Sequence, residues 1–84
     1  MNQTFHIEAI GYAEAGRPVA VVQRQSVRAE SAESLQRRAV RLLQRSRAPQ
    51  WNLAPVEAVR ILDGAGTELF RWTIWDEMSG ARAG

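Results

Sequence analysis

The stretch Glu68-Leu-Phe-Arg-Trp-Thr-Ile-Trp75, ELFRWTIW, decides the fold. Its apolar and aromatic residues fall at both odd and even positions, so in extended form it offers greasy side chains to both faces of a sheet. Just upstream, Asp63-Gly-Ala-Gly66 separates it from a second β-prone run, Val56 to Leu62. Strand, Asp-Gly turn and strand spell a hairpin, with Thr67 to Trp75 as its second arm.

Further upstream, Ala32, Leu35, Ala39, Leu42, Leu43 and Ser46 recur at steps of three and four, which predicts an amphipathic helix from Ser31 to about Arg47. Ser31 is placed to cap it, Glu30 and Glu33 suit the positive end of its dipole, and Pro49 follows its end. Ala48 to Pro55 reads as a loop bracketed by prolines, with Trp51 assigned to the core edge. Near the N-terminus, Thr4 to Ile10 alternates Phe5, Ile7 and Ala9 with His6, Glu8 and Ile10, the period of a half-buried strand. Turn formers across Gly11 to Pro18 lead into Val19 to Arg28, the returning arm. Its apolar register changes between Val22 and Val27, which predicts either a bulge or a strand that leaves the sheet at its polar end.

The order is β-β-α-β-β, and the fold class is α+β. One domain, residues 1–76, is expected to be a four-stranded, mainly antiparallel sheet with one amphipathic helix packed on one face. Residues 77–84 have little to bury and are expected to form a mobile C-terminal tail. Under the helix the alternation places Phe70, Trp72, Ile74, Val59, Ile61, Phe5 and Ile7. The opposite face then receives Leu69, Arg71, Thr73 and Trp75 from the last strand, and Val56, Ala58, Arg60 and Leu62 from its partner. The first strand adds His6, Glu8, Ile10 and Tyr12. No second helix is foreseen to cover them.

An open face mixing Leu, Ile, Trp and Arg is what a sheet carries where it meets another molecule. The partner-binding candidates are Leu69, Arg71, Trp75, Arg60, Leu62, Ile10 and Tyr12. The expected function is a non-catalytic interaction module that forms a homodimer or binds another protein. The alternative is nucleic-acid binding, with aromatics of the sheet stacking on bases. A separate row on the helix, Arg37, Arg41 and Arg45 with Arg38 and Arg47 beside it, is a candidate anion-binding surface. The plainer account of that row pairs Glu33 with Arg37 and leaves the rest solvated.

Composition narrows the classes. The 84 residues are 45% hydrophobic and 24% charged, in the globular range, with room for a single core. All eleven cations are Arg, and the net charge is only +2, which permits a nucleic-acid partner without requiring one. There is no cysteine, so there is no disulfide or thiolate chemistry, and the one histidine, His6, reads as a sheet-surface residue. No Ser, His and acid set is placed by a recognisable motif, no metal ligand set occurs, and Asp76-Glu77 lacks a third ligand. The chain is expected not to be an enzyme, and to hold no metal and no cofactor. Absence of a cationic leader or apolar span predicts a cytoplasmic protein with no membrane partner, and its compactness suits a bacterial or phage origin.

Overall fold

The structure, a computed structural model, describes residues 2–12, 16, 20–46 and 55–79. Two strands, β1 (Gln3–Gly11) and β2 (Val21–Ala29), precede helix α1 (Glu33–Ser46). Strands β3 (Val56–Leu62) and β4 (Glu68–Thr73) follow, and a short helix, α2 (Ile74–Ser79), continues directly from β4. The sheet order is β2-β1-β3-β4 and every neighbouring pair is antiparallel. The α+β class and the β-β-α-β-β order therefore stand.

Helix α1 lies on one face. Its stripe of Leu35, Ala39, Leu42 and Leu43 is buried against Phe5, Ile7 and Ala9 of β1 and Val56, Val59 and Ile61 of β3. Phe70 and Trp72 of β4 and Val22 and Val27 of β2 close the margins of this core. Ser31 accepts a hydrogen bond from the Ser34 backbone N–H at 3.3 Å, the N-cap foreseen for this helix.

Three bulges set which residues face α1. Opposite Ala9 and Ile10 of β1, strand β2 steps from Gln23 to Val21, leaving Val22 as the extra residue. Val22 and Val27, of opposite parity, can then both reach the core, the outcome implied by their change of register. Opposite Ile10 and Gly11, β3 steps from Ala58 to Val56 past Glu57. This moves Val56 to the helix side, correcting its expected place on the far face. The third bulge, Leu69, sits between the pairs Ile61 with Phe70 and Leu62 with Glu68.

The β3–β4 turn is held by one carboxylate. Asp63 Oδ1 accepts from the Ala65 and Thr67 backbone N–H groups, both at 2.9 Å, and Gly66 takes a φ of +90°, open to glycine at little cost.

Two further expectations are corrected. ELFRWTIW is not strand throughout: β4 ends at Thr73, and Ile74 and Trp75 open α2, which takes Glu77 to Ser79 of the expected tail into a helix. The cause is a capping box, Thr73-Ile-Trp-Asp76. Thr73 N–H donates to Asp76 Oδ2 at 2.9 Å and Asp76 N–H donates to Thr73 Oγ1 at 3.2 Å. The remaining tail residues and Trp51 lie outside the described residues. None of the described helices is long and apolar enough to cross a membrane.

Candidate binding surfaces

The face opposite α1 is built of rows of directly paired residues. One row runs Arg24, Glu8, Arg60, Arg71 across all four strands, and its neighbour runs Ser26, His6, Leu62, Glu68. Charge alternates along a ladder that these rows form. Arg24 stands 3.6 Å from Glu8, and Arg60 donates to Glu8 from both Nε and Nη2 at 2.8 Å. Arg60 Nη1 is 3.6 Å from Glu68, and Arg71 grips Glu68 through two hydrogen bonds, of 2.8 and 3.1 Å. Arg60 and Arg71 are directly opposed like charges, and Glu68 neutralises the contact by bridging them. His6 Nδ1 and Ser26 Oγ are hydrogen-bonded at 2.9 Å beside the ladder.

This ladder covers the second face of the sheet, where greasy residues were expected. Ile10 and Leu62 are only 3% and 7% exposed, so neither offers apolar surface to a partner, which corrects their placing at an exposed interface. Arg60 stands between Ala58 and Leu62 on that face, and a side chain of this length shelters apolar neighbours under its stem while its head stays in ion pairs. Leu69 is exposed but lies elsewhere: it borders a shallow cleft with Phe5, Ala32 and Gln36 at the start of α1.

Arg71's hydrogen bonds hold the Glu68 carboxyl below the usual glutamate range, and Glu68 raises the Arg71 guanidinium in turn. A carboxyl with a lowered folded pKa stabilises the fold fully above its unfolded pKa, and the contribution is lost as pH falls through the folded value. Glu68→Gln is therefore expected to lose less stability than the parent between neutral and strongly acidic pH. The difference should stay below about 1 kcal/mol because the pair is well exposed. Denaturant titrations at both pH values check this, and equal acid losses in the two proteins would contradict it.

The other large exposed apolar residues among those described lie toward one end of the sheet. Val21 pairs with Ile10, Ile10 with Ala58 and Ala58 with Thr73, so the start of β2, the end of β1, the start of β3 and the end of β4 meet there. Tyr12 follows β1 and is 49% exposed, and Val21 is 45% exposed. Trp75 and Met78 of α2, three residues apart and so on neighbouring turns, are 58% and 65% exposed. Helix α2 is held firmly in spite of its length. Ile74 is buried, and Glu77 accepts from Trp72 Nε1 at 2.7 Å and from Gln44 Nε2 of α1 at 3.2 Å.

The helix row occupies a third surface. Arg37, Arg38, Arg41 and Arg45 are exposed on the outer side of α1; Arg47 lies outside the described residues. Among the described residues, the expected Glu33–Arg37 pair does not form, and Arg37, Arg38 and Arg41 make no ion pair.

Of the predicted partner-binding residues, the structure joins Arg60 and Arg71 in the ladder and sets Tyr12 and Trp75 at one end of the sheet. It separates Leu69 from them and buries Ile10 and Leu62. Sequence reasoning missed Glu8, Glu68 and Arg24 as ladder members, Met78 as an exposed neighbour of Trp75 on α2, and Val21 as an exposed residue at the same end of the sheet. The capping box at Thr73 to Asp76 was the available signal for α2. No group of three or more His, Cys, Asp or Glu side chains able to hold a metal occurs among the described residues. No protein-family model matches the chain, and neither a curated protein nor a solved structure matches it.

Proposed function

We propose that this chain is a non-catalytic interaction module that associates with a second copy of itself through the end of the sheet where Trp75, Met78, Tyr12 and Val21 are exposed. The observation that carries the reading is the presentation of Trp75. It is a large aromatic, more than half exposed, on a short helix fixed by a capping box and by the Trp72–Glu77–Gln44 bridge. A rigid aromatic loses little conformational freedom on binding, and Trp is among the residues that dominate interface energetics. Met78 beside it adds an adaptable apolar contact. Arg71, on the strand that leads into α2, can add polar contacts at the margin.

A standard interface buries about 800 Å² per partner, more than these four side chains supply, so the expected association is in the micromolar range. Light scattering over a concentration series from low micromolar to millimolar should show a rising mass that approaches twice the monomer. Trp75→Ser combined with Met78→Ser should abolish the rise while leaving the melting of dilute protein unchanged. A parent protein that stays monomeric throughout, or a rise untouched by the double substitution, would remove the reading.

A further inference from the structure

We infer that the outer face of α1 is a second binding surface, distinct from the apolar end of the sheet, and that it takes the phosphate backbone of a DNA duplex. The decisive contrast is between two sets of Arg. Arg24, Arg60 and Arg71 on the sheet each have a carboxylate partner, whereas Arg37, Arg38 and Arg41 on the helix make no ion pair among the described residues. Like charges one helical turn apart repel and weaken a helix, and among the described residues no ion pair to Arg37, Arg38 or Arg41 relieves them. An external polyanion would.

The chemistry of the face selects among polyanions. The apolar stripe of α1 is spent on the core, with Leu35, Ala39, Leu42 and Leu43 all buried, and the described exposed positions of the helix carry only polar or charged residues. Such a face has no exposed apolar group to sink into a lipid interface and no aromatic on which to stack unpaired bases. What remains is phosphate contact alone, for which guanidinium groups, with their paired donors, are better suited than ammonium. Arg37, Arg41 and Arg45 succeed one another at about 6 Å per step, so the row spans about 12 Å. That is about the width of the B-form major groove, which lets the ends of the row reach phosphates on both lips; the A-form groove of RNA is narrower.

The test is fluorescence anisotropy with a labelled DNA duplex of about two helical turns, titrated over a series of salt concentrations. At low salt the full chain should bind with a dissociation constant of about 10 to 100 µM, and three phosphate contacts give a logarithmic salt slope of about −2.7. Arg37→Gln with Arg41→Gln, on exposed positions that tolerate Gln in a helix, should weaken binding at least tenfold and remove about two-thirds of the slope. The charge-matched control, Arg24→Gln with Arg28→Gln on β2, should change binding less than threefold. Circular dichroism verifies that both variants are folded.

No binding at low salt would overturn the inference. So would equal losses in the two double variants, which would mark a response to net charge rather than to a site. Equal or tighter binding to an A-form RNA duplex, to vesicles rich in anionic lipid or to polyglutamate would overturn it as well.

Discussion

Arg60→Met is expected to destabilise the fold by about 3 kcal/mol or more, the scale for stranding one partner of a buried ion pair. Glu8 is 4% exposed and sits on the second strand of the sheet, flanked by neighbours on both sides. Two of the three short contacts to its carboxylate come from Arg60, at 2.8 Å from Nε and Nη2; Arg24 stands farther off, at 3.6 Å. A methionine at position 60 keeps the stem that shelters Ala58 and Leu62 but leaves the carboxylate with one distant cation. Burial of a charge without close compensation is what the substitution costs. Replacing both partners, Glu8→Met with Arg60→Met, should recover most of the loss, because removing a buried pair entirely is often neutral or stabilising. Denaturant unfolding of the parent, both single variants and the double variant gives the coupling directly. A loss below about 1 kcal/mol for Arg60→Met, or a double variant no better than the worse single one, would show that the ladder does not hold Glu8 in this way.

That ladder also marks where sequence reasoning reached its limit. Periodicity placed Phe5, Ile7, Val59, Ile61, Leu35, Leu42 and Leu43 in one core, because the strand period of two and the helix period of 3.6 are written in residue types. A change of apolar parity in β2 allowed a bulge or a departing strand, and the structure has the bulge. The content of the other face depends on register between strands distant in sequence. Glu8 meets Arg60 across 52 residues, and nothing in either local segment encodes that meeting. The bulge at Glu57 is likewise silent locally, since Val56, Ala58 and Leu62 share parity until the extra residue moves Val56 to the helix side. For α2 the difficulty was competition rather than silence. The aromatic and β-branched run Phe70 to Trp75 favours a strand, yet the reciprocal Thr73–Asp76 hydrogen bonds satisfy a helix start. The two-sided greasiness of ELFRWTIW thus has two separate explanations: Phe70 and Trp72 face α1 as part of a sheet, and Trp75 belongs to a different element.

Leu43→Ala should cost about 2 to 5 kcal/mol and unfold much of the population at moderate temperature, given how little net stability a domain of this size carries. Leu43 is wholly buried and belongs to the cluster that joins α1 to β1 and β3, so its truncation opens a cavity at the centre of the contact surface between α1 and the sheet. The surrounding atoms belong to regular elements whose backbone bonds resist collapse into the space, which places the cost above that of losing apolar transfer alone. Trp75→Ser provides the contrast: it removes a larger side chain, but one more than half exposed on α2, and should change dilute-solution stability by less than about 0.5 kcal/mol. Volume removed therefore should not predict damage; burial should. Thermal unfolding of both variants at low micromolar concentration tests the pair. If Trp75→Ser unfolds the dilute protein while Leu43→Ala is tolerated, the core lies around α2 rather than beneath α1, and the end of the sheet proposed for association is part of the structural interior.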